Sequence, residues 1–146
     1  MRILGIDYGD RHIGLALSDP LLVTAQPLET YQLSALEAEN RRFFLELKRR
    51  HGIERAVVGL PLRMDGTPGT RAETTRVFAA WLERATGWTV EFWDERLTTQ
   101  QALHSAQEQN ISIKHKRAAV NQIAAVIILQ SYLDGRDAHE PPPTNG

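Results

Sequence analysis

Two segments of this chain carry acids at the points where short apolar runs end. In Ile3-Leu4-Gly5-Ile6-Asp7 the run closes on a carboxylate, followed by Tyr8-Gly9-Asp10-Arg11 and a second apolar run from Ile13 to Leu17. Much later, Thr89 to Trp93 runs into Asp94-Glu95-Arg96. A carboxylate at the end of a buried strand is costly to desolvate, so it must meet water, a donor or a cation. Two such groups at adjoining strand ends repel each other unless a cation or a proton sits between them. Oxygen ligands without Cys or His favour Mg²⁺ or Mn²⁺ over zinc. Such ions promote phosphodiester hydrolysis by activating a water and stabilising charge on the leaving oxygen. The competing reading is plainer: Asp7 hydrogen-bonds its own turn, and Asp94, Glu95 and Arg96 form surface ion pairs of little energetic value. The residues by themselves leave both readings open.

Phosphate-holding side chains would have to come from the loops around those strand ends. The candidates are Arg11, Arg63, Arg71, Arg96, Lys114, Lys116 and Arg117. The net charge is −1, so no global field draws the chain to a polyanion and any such site must be a local patch. The absence of cysteine excludes disulfides, thiol chemistry and the usual zinc cages, and the five histidines show no metalloprotease spacing. Even the longest apolar stretch, which contains Ala124 to Leu129, is too short to span a bilayer. A cytoplasmic protein with no membrane partner is expected.

The elements that must position these groups follow from periodicity and punctuation. Ile3 to Leu17 reads as a β-hairpin whose first strand is apolar on both faces, hence central. Pro27 marks an edge strand near Leu28 to Tyr31. Ser34 and Glu37 form a capping box for a first helix with Leu36, Phe43, Phe44 and Leu47 on one face and Gly52 as its stop. A short strand, Arg55 to Leu60, leads into Pro61 to Thr70, a loop with two prolines and two glycines. A second helix follows, with Val77, Phe78, Trp81, Leu82 and Ala85 on one face and Gly87 at its end. After the fifth strand, Thr98 and Gln101 cap a third helix. Asn110 to Arg117 breaks the pattern, and Ala118 to Leu133 is a buried last helix stopped by Gly135.

A hairpin meander followed by βα units predicts an α/β fold with a five-stranded mixed sheet, antiparallel in strands 1–3 and parallel in strands 4–5, with helices on both faces. Right-handed crossovers would turn the ends of strands 1, 4 and 5 to one edge and let Asp7 and Glu95 approach each other. Residues 1–135 are expected to form a single domain and 136–146 a disordered tail.

The segments DYGDRHIGLALSD, VGLPLRMDGTPGTR, DERLTT and AAVIILQSYL, in this order, resemble the YqgF/RuvX family over about Arg2 to Leu133. These are bacterial ribonuclease H-like proteins described as Holliday junction resolvases or as nucleases processing the 5′ end of pre-16S ribosomal RNA. The resemblance implies a ribonuclease H-like fold with three acids binding a divalent metal. Asp7 and Glu95 match two of them. Where the third Asp is expected, near the start of the last helix, this chain has Asn121, which can ligate through its carbonyl but brings no charge. The loop from Pro61 to Thr70 also matches the family; a Gly-rich loop beside the strand ends is either a substrate flap, which its position favours, or simply a connector. Lys114 to Arg117 resembles the family's basic approach to the last helix.

The resulting expectation is a Mg²⁺- or Mn²⁺-dependent endonuclease acting on a four-way DNA junction or a precursor ribosomal RNA. Asp7, Glu95 and Asn121 would form its metal site, and DNA and RNA are not distinguished. Cutting two opposed strands would suit a two-fold homodimer. The replaced acid motivates a rival reading, a non-catalytic binder of structured nucleic acid. A lone actin-like nucleotide-binding domain is the third, disfavoured because those ATPases clamp nucleotide between two such domains.

Overall fold

The computed structural model describes residues 1–9, 11–97 and 113–139, with side chains described for all but residues 97, 113–121 and 137–139. Its strands are β1 (Arg2–Tyr8), β2 (His12–Ser18), β3 (Ala25–Gln32), β4 (Ile53–Leu60) and β5 (Thr89–Asp94). Its helices are α1 (Glu37–His51), α2 (Thr70–Thr86) and α3 (Ile113–His139), and Glu95–Leu97 forms a single 3-10 turn. The strands make one sheet in the order β3-β2-β1-β4-β5. β1 pairs antiparallel with β2 and β2 antiparallel with β3, whereas β1–β4 and β4–β5 are parallel.

Alternation along the strands sorts the core into two layers. Leu4, Ile6, Ala56 and Val58 face α1 and α2 and pack on Phe44, Leu47, Phe78 and Leu82. Ile3, Ala16 and Val57 face α3 and pack on Ala125, Ile128 and Leu129. Each fully buried Ile or Leu here contributes roughly 1.5–3 kcal/mol against an exposed state. β1 is covered on both faces, as its unbroken apolar run requires. Gly5 lets α3 approach closely, because a Cβ there would stand 2.6 Å from Leu129 Cβ. Pro27 sits on the edge strand at a register shift opposite Leu15/Ala16, where its missing N–H interrupts no central ladder.

The local details differ from the expectation at five points. No capping box forms at α1: Leu36 is the N-cap and no side chain caps it. Asn40 organises the entry instead, its Oδ1 accepting from the Ser34 N–H at 2.9 Å and the Tyr31 hydroxyl at 2.7 Å. Glu37 is drawn outward, accepting from Arg41 at 2.9 Å and from Trp81 Nε1 at 3.1 Å. Leu36 and Val77 are exposed rather than inward-facing, since the turns carrying Phe44 and Phe78 already fill the space against the sheet. Trp88 is buried in their layer and donates to the Ile53 carbonyl at 3.0 Å. The basic run Lys114 to Arg117 falls inside α3 rather than before it. Gly135 does not stop that helix, which continues to His139. Its missing side chain receives the Trp93 indole, whose Cη2 would stand 2.9 Å from a Cβ there. The third helix expected from Thr98 lies outside the described residues. Gly52 and Gly87 close α1 and α2 in left-handed conformation (φ 63° and 77°) as expected.

Candidate active site

The parallel pairings turn the C-terminal ends of β1, β4 and β5 to one edge of the sheet, with β4 in the middle. Ile6 is paired with Val58, and Gly59 with Trp93. Asp7 therefore stands beside Gly59 on one side of β4, and Glu95 leaves β5 on the other. Neighbouring strands are ~4.8 Å apart, so β1 and β5 are separated by roughly 10 Å. Alternation places Asp7, Gly59 and Trp93 on the α3 face, in line with Ile3, Val57 and the Trp93–Tyr132 contact. Glu95 reaches Asp7 by lying across the middle strand, and the middle strand permits it because residue 59 has no side chain. A Cβ on Gly59 would stand 2.7 Å from Glu95 Oε1, 2.9 Å from its Cγ and 2.5 Å from Ile128 Cδ1.

The two carboxyl groups meet in a side-chain hydrogen bond. Burial first, and then the Asp7 charge and that hydrogen bond, push the Glu95 carboxyl up to about 8. Burial raises Asp7 as well, opposed by the Glu95 hydrogen bond and the positive charge of Arg71. The proton of the pair thus resides on Glu95 and is donated to Asp7, as expected of like charges forced together. Arg71, in the first turn of α2, is the cation whose charge reaches both carboxyls.

A pH dependence follows with a definite sign. Folded protein keeps on Glu95 a proton that the unfolded chain releases above about 4.5. The associated stability is full below that pH and is lost as pH rises through about 8. In EDTA the wild-type melting temperature should therefore fall between pH 5 and pH 9 by more than that of Glu95→Gln, which has no carboxyl to ionise. Parallel melting curves for the two proteins across that range would contradict the shared proton.

The remaining predicted residues divide by location. Arg11 is exposed in the β1–β2 turn. Arg63 lies on the β4–α2 loop with its guanidinium against Gly69, where a Cβ would stand 2.9 Å from its Nε. Arg96 is engaged with Asp94, its Nη2 2.6 Å from Oδ2. That bond holds the Asp94 carboxyl below the usual carboxylate range. Arg11, Arg63, Arg71 and Arg96 thus all stand on the sheet edge that carries Asp7 and Glu95. Asn121 occupies the turn of α3 before Ala125, whose carbonyl abuts Gly5 on β1, the strand that carries Asp7. The side chains of Asn121, Lys114, Lys116 and Arg117 lie outside the described residues. Tyr8 is a packing residue, stacked on Phe78 at 4.4 Å between centroids. Sequence reasoning missed Gly59, although a glycine inside a strand pattern is a general sign of close approach.

A five-stranded mixed sheet of this order, flanked by helices, defines a ribonuclease H-like fold. Solved structures share it at low sequence identity. The RuvC of T. thermophilus in complex with a Holliday junction superposes with a TM-score of 0.56 at 18% identity, over 94% of this chain and 96% of that one. The fowlpox virus Holliday junction resolvase gives 0.52 at 14% identity, over 92% and 99%. Within that class the chain belongs to the RuvX family, described as Holliday junction resolvase, whose profile matches residues 1–135. It is 45% identical over 141 residues to a Symbiobacterium thermophilum protein named "Putative pre-16S rRNA nuclease", covering 97% of each chain. It is 47% identical over 134 residues to a Moorella thermoacetica protein of the same name, over 92% of this chain and 95% of that one.

Proposed function

We propose that the chain is a divalent-metal-dependent endonuclease that hydrolyses phosphodiester bonds in structured nucleic acid, a four-way DNA junction or a precursor ribosomal RNA. The meeting of Asp7 and Glu95 over Gly59 carries this reading. Two half-buried carboxyls that must share a proton when alone form an oxygen donor set suited to a hard dication, which would take the proton's place. No group of three or more His, Cys, Asp or Glu side chains converges among the described residues. The pair would therefore supply two ligands, with the carbonyl of Asn121 as a neutral third. A bound Mg²⁺ or Mn²⁺ would supply an activated water and stabilise charge on the leaving oxygen. Asp7 and Glu95 would fix its place at the sheet edge. Arg71, whose charge reaches both carboxyls, would attract the phosphate, with Arg11 and Arg63 holding the backbone on either side.

Asn121→Asp should restore the third charge, lowering the Mn²⁺ concentration for half-maximal cleavage on the order of tenfold, since charge count tunes affinity in oxygen-ligand sites. A metal titration of both proteins checks this, and an unchanged midpoint would remove residue 121 from the site. The same missing acid favours the second reading, a non-catalytic binder. Purified protein, assayed with Mn²⁺ on a four-way DNA junction and on a 5′-extended 16S ribosomal RNA precursor, separates the two. The nuclease should cut at least one of these substrates and lose that activity in EDTA. Binding without any divalent-dependent cut would establish the binder.

A further inference from the structure

Arg96 stands among the basic residues at the sheet edge, yet most of its donors are committed within the protein. Its Nε donates to both Asp94 carboxylate oxygens, at 3.1 and 2.9 Å, and its Nη2 to Oδ2 at 2.6 Å. Asp94 Oδ1 also accepts the Arg96 backbone N–H at 3.0 Å, which closes the chain around Glu95. On its other side the guanidinium reaches the β4–α2 loop, where Nη1 donates to the Met64 carbonyl at 3.3 Å. A Cβ on Gly66 (φ 88°) would stand 3.3 Å from that same nitrogen.

The loop is a small closed unit. The Arg63 N–H donates to the Thr67 carbonyl at 2.9 Å and the Gly66 N–H to the Arg63 carbonyl at 2.8 Å. Asp65 accepts from the Thr67 N–H and hydroxyl at 3.0 and 2.7 Å, and Leu62 bridges Pro68. The loop thus holds its own shape, and Arg96 joins its tip to the end of β5. Strand alternation turns Asp94 away from the face carrying Asp7 and Gly59, so the Asp94–Arg96 pair grips the turn from behind Glu95.

We propose that Arg96 is a positioning residue rather than a phosphate contact: paired bidentately with Asp94, it aims Glu95 across Gly59 at Asp7 and holds the 61–69 loop beside the two carboxyls. Loop position and ligand geometry are then set by one guanidinium. The catalytic half of this inference rests on the nuclease reading above; the loop tie does not.

The two roles predict opposite behaviour for Asp94→Asn. Freeing Arg96 from its carboxylate should strengthen a phosphate contact, whereas it should damage a positioning device. The experiment compares wild type, Asp94→Asn, Arg96→Gln and Arg96→Lys on a four-way DNA junction and on a 5′-extended 16S ribosomal RNA precursor. Cleavage is measured against Mn²⁺, binding against KCl in EDTA, and amide exchange at residues 63–67 in metal-free protein. For positioning, all three variants lose roughly 10–100-fold in kcat, as when metal-ligand supports are removed. They need more Mn²⁺, keep KM, and exchange faster at Gly66 and Thr67. Arg96→Lys fails with the others because an ammonium cannot reproduce the fork, and the slope of log affinity against log salt is unchanged. A slope reduced by about one in Arg96→Gln with kcat intact, or gain of activity in Asp94→Asn, would overturn the proposal. If wild type makes no divalent-dependent cut, the nuclease reading and the catalytic half fail, and exchange still decides the loop tie. Unchanged exchange in all three variants would overturn that tie as well.

Discussion

Asp7→Asn should leave the fold intact and remove cleavage. The substitution keeps size and hydrogen-bonding capacity at the end of β1 and relieves the like-charge contact that raises Glu95. Metal-free variant protein should therefore be at least as stable as wild type at pH 8. Activity has no such compensation, because the proposed site has only two charged ligands among the described residues and this change removes one. Loss of a direct ligand should exceed the roughly 10–100-fold typical of its supporting partners. A junction and precursor cleavage assay beside a thermal melt reads both effects. Retained cleavage by Asp7→Asn would remove the pair from the chemistry.

The second large effect is expected at a residue with no functional group. Gly59→Ala places a methyl 2.7 Å from Glu95 Oε1 and 2.5 Å from Ile128 Cδ1, distances real Cβ atoms do not tolerate. Glu95 is attached to a short turn and cannot lift off β4 without leaving Asp7. Activity should fall on the order of 100-fold, in line with a misplacement of about 1 Å in a positioned group. Overpacking against Ile128 adds about 1–3 kcal/mol of destabilisation. The two consequences separate in the double variant Gly59→Ala/Ile128→Val, which lacks the Cδ1 atom in the way. Stability should recover while cleavage stays low. Recovery of both would mean that Gly59 serves only the packing of α3 on the sheet.

Much of the frame was legible because its causes are local. Apolar runs ending on acids marked β1 and β5, Pro27 marked an edge, and Gly52 and Gly87 marked helix ends. The crossover rule then carried Asp7 and Glu95 to one edge without any contact information. What escaped depends on contacts distant in sequence. Gly59 reads as an ordinary strand residue until the side chain of Glu95 is laid across it. Gly135 has the spacing of a helix stop but serves the ring of Trp93, and Asn40 displaced the Ser34–Glu37 box because Tyr31 and Ser34 both turn to it. Val77 has the spacing of an inward residue, yet it is Phe78, Ala79 and Leu82 that occupy the available depth. The basic residues were identified by type and by their place near the strand ends, which cannot tell a free guanidinium from one already bound to Asp94.

The central claim is that the side chains of Asp7 and Glu95 jointly hold a hard dication. Calorimetric titration of Mn²⁺ into metal-free protein at pH 7, repeated in buffers of different ionisation enthalpy, tests it most directly. Wild type should bind with release of the proton held on Glu95, and both Asp7→Asn and Glu95→Gln should lose that binding. Mn²⁺ binding of equal strength in all three proteins, or binding by wild type without proton release, would contradict it.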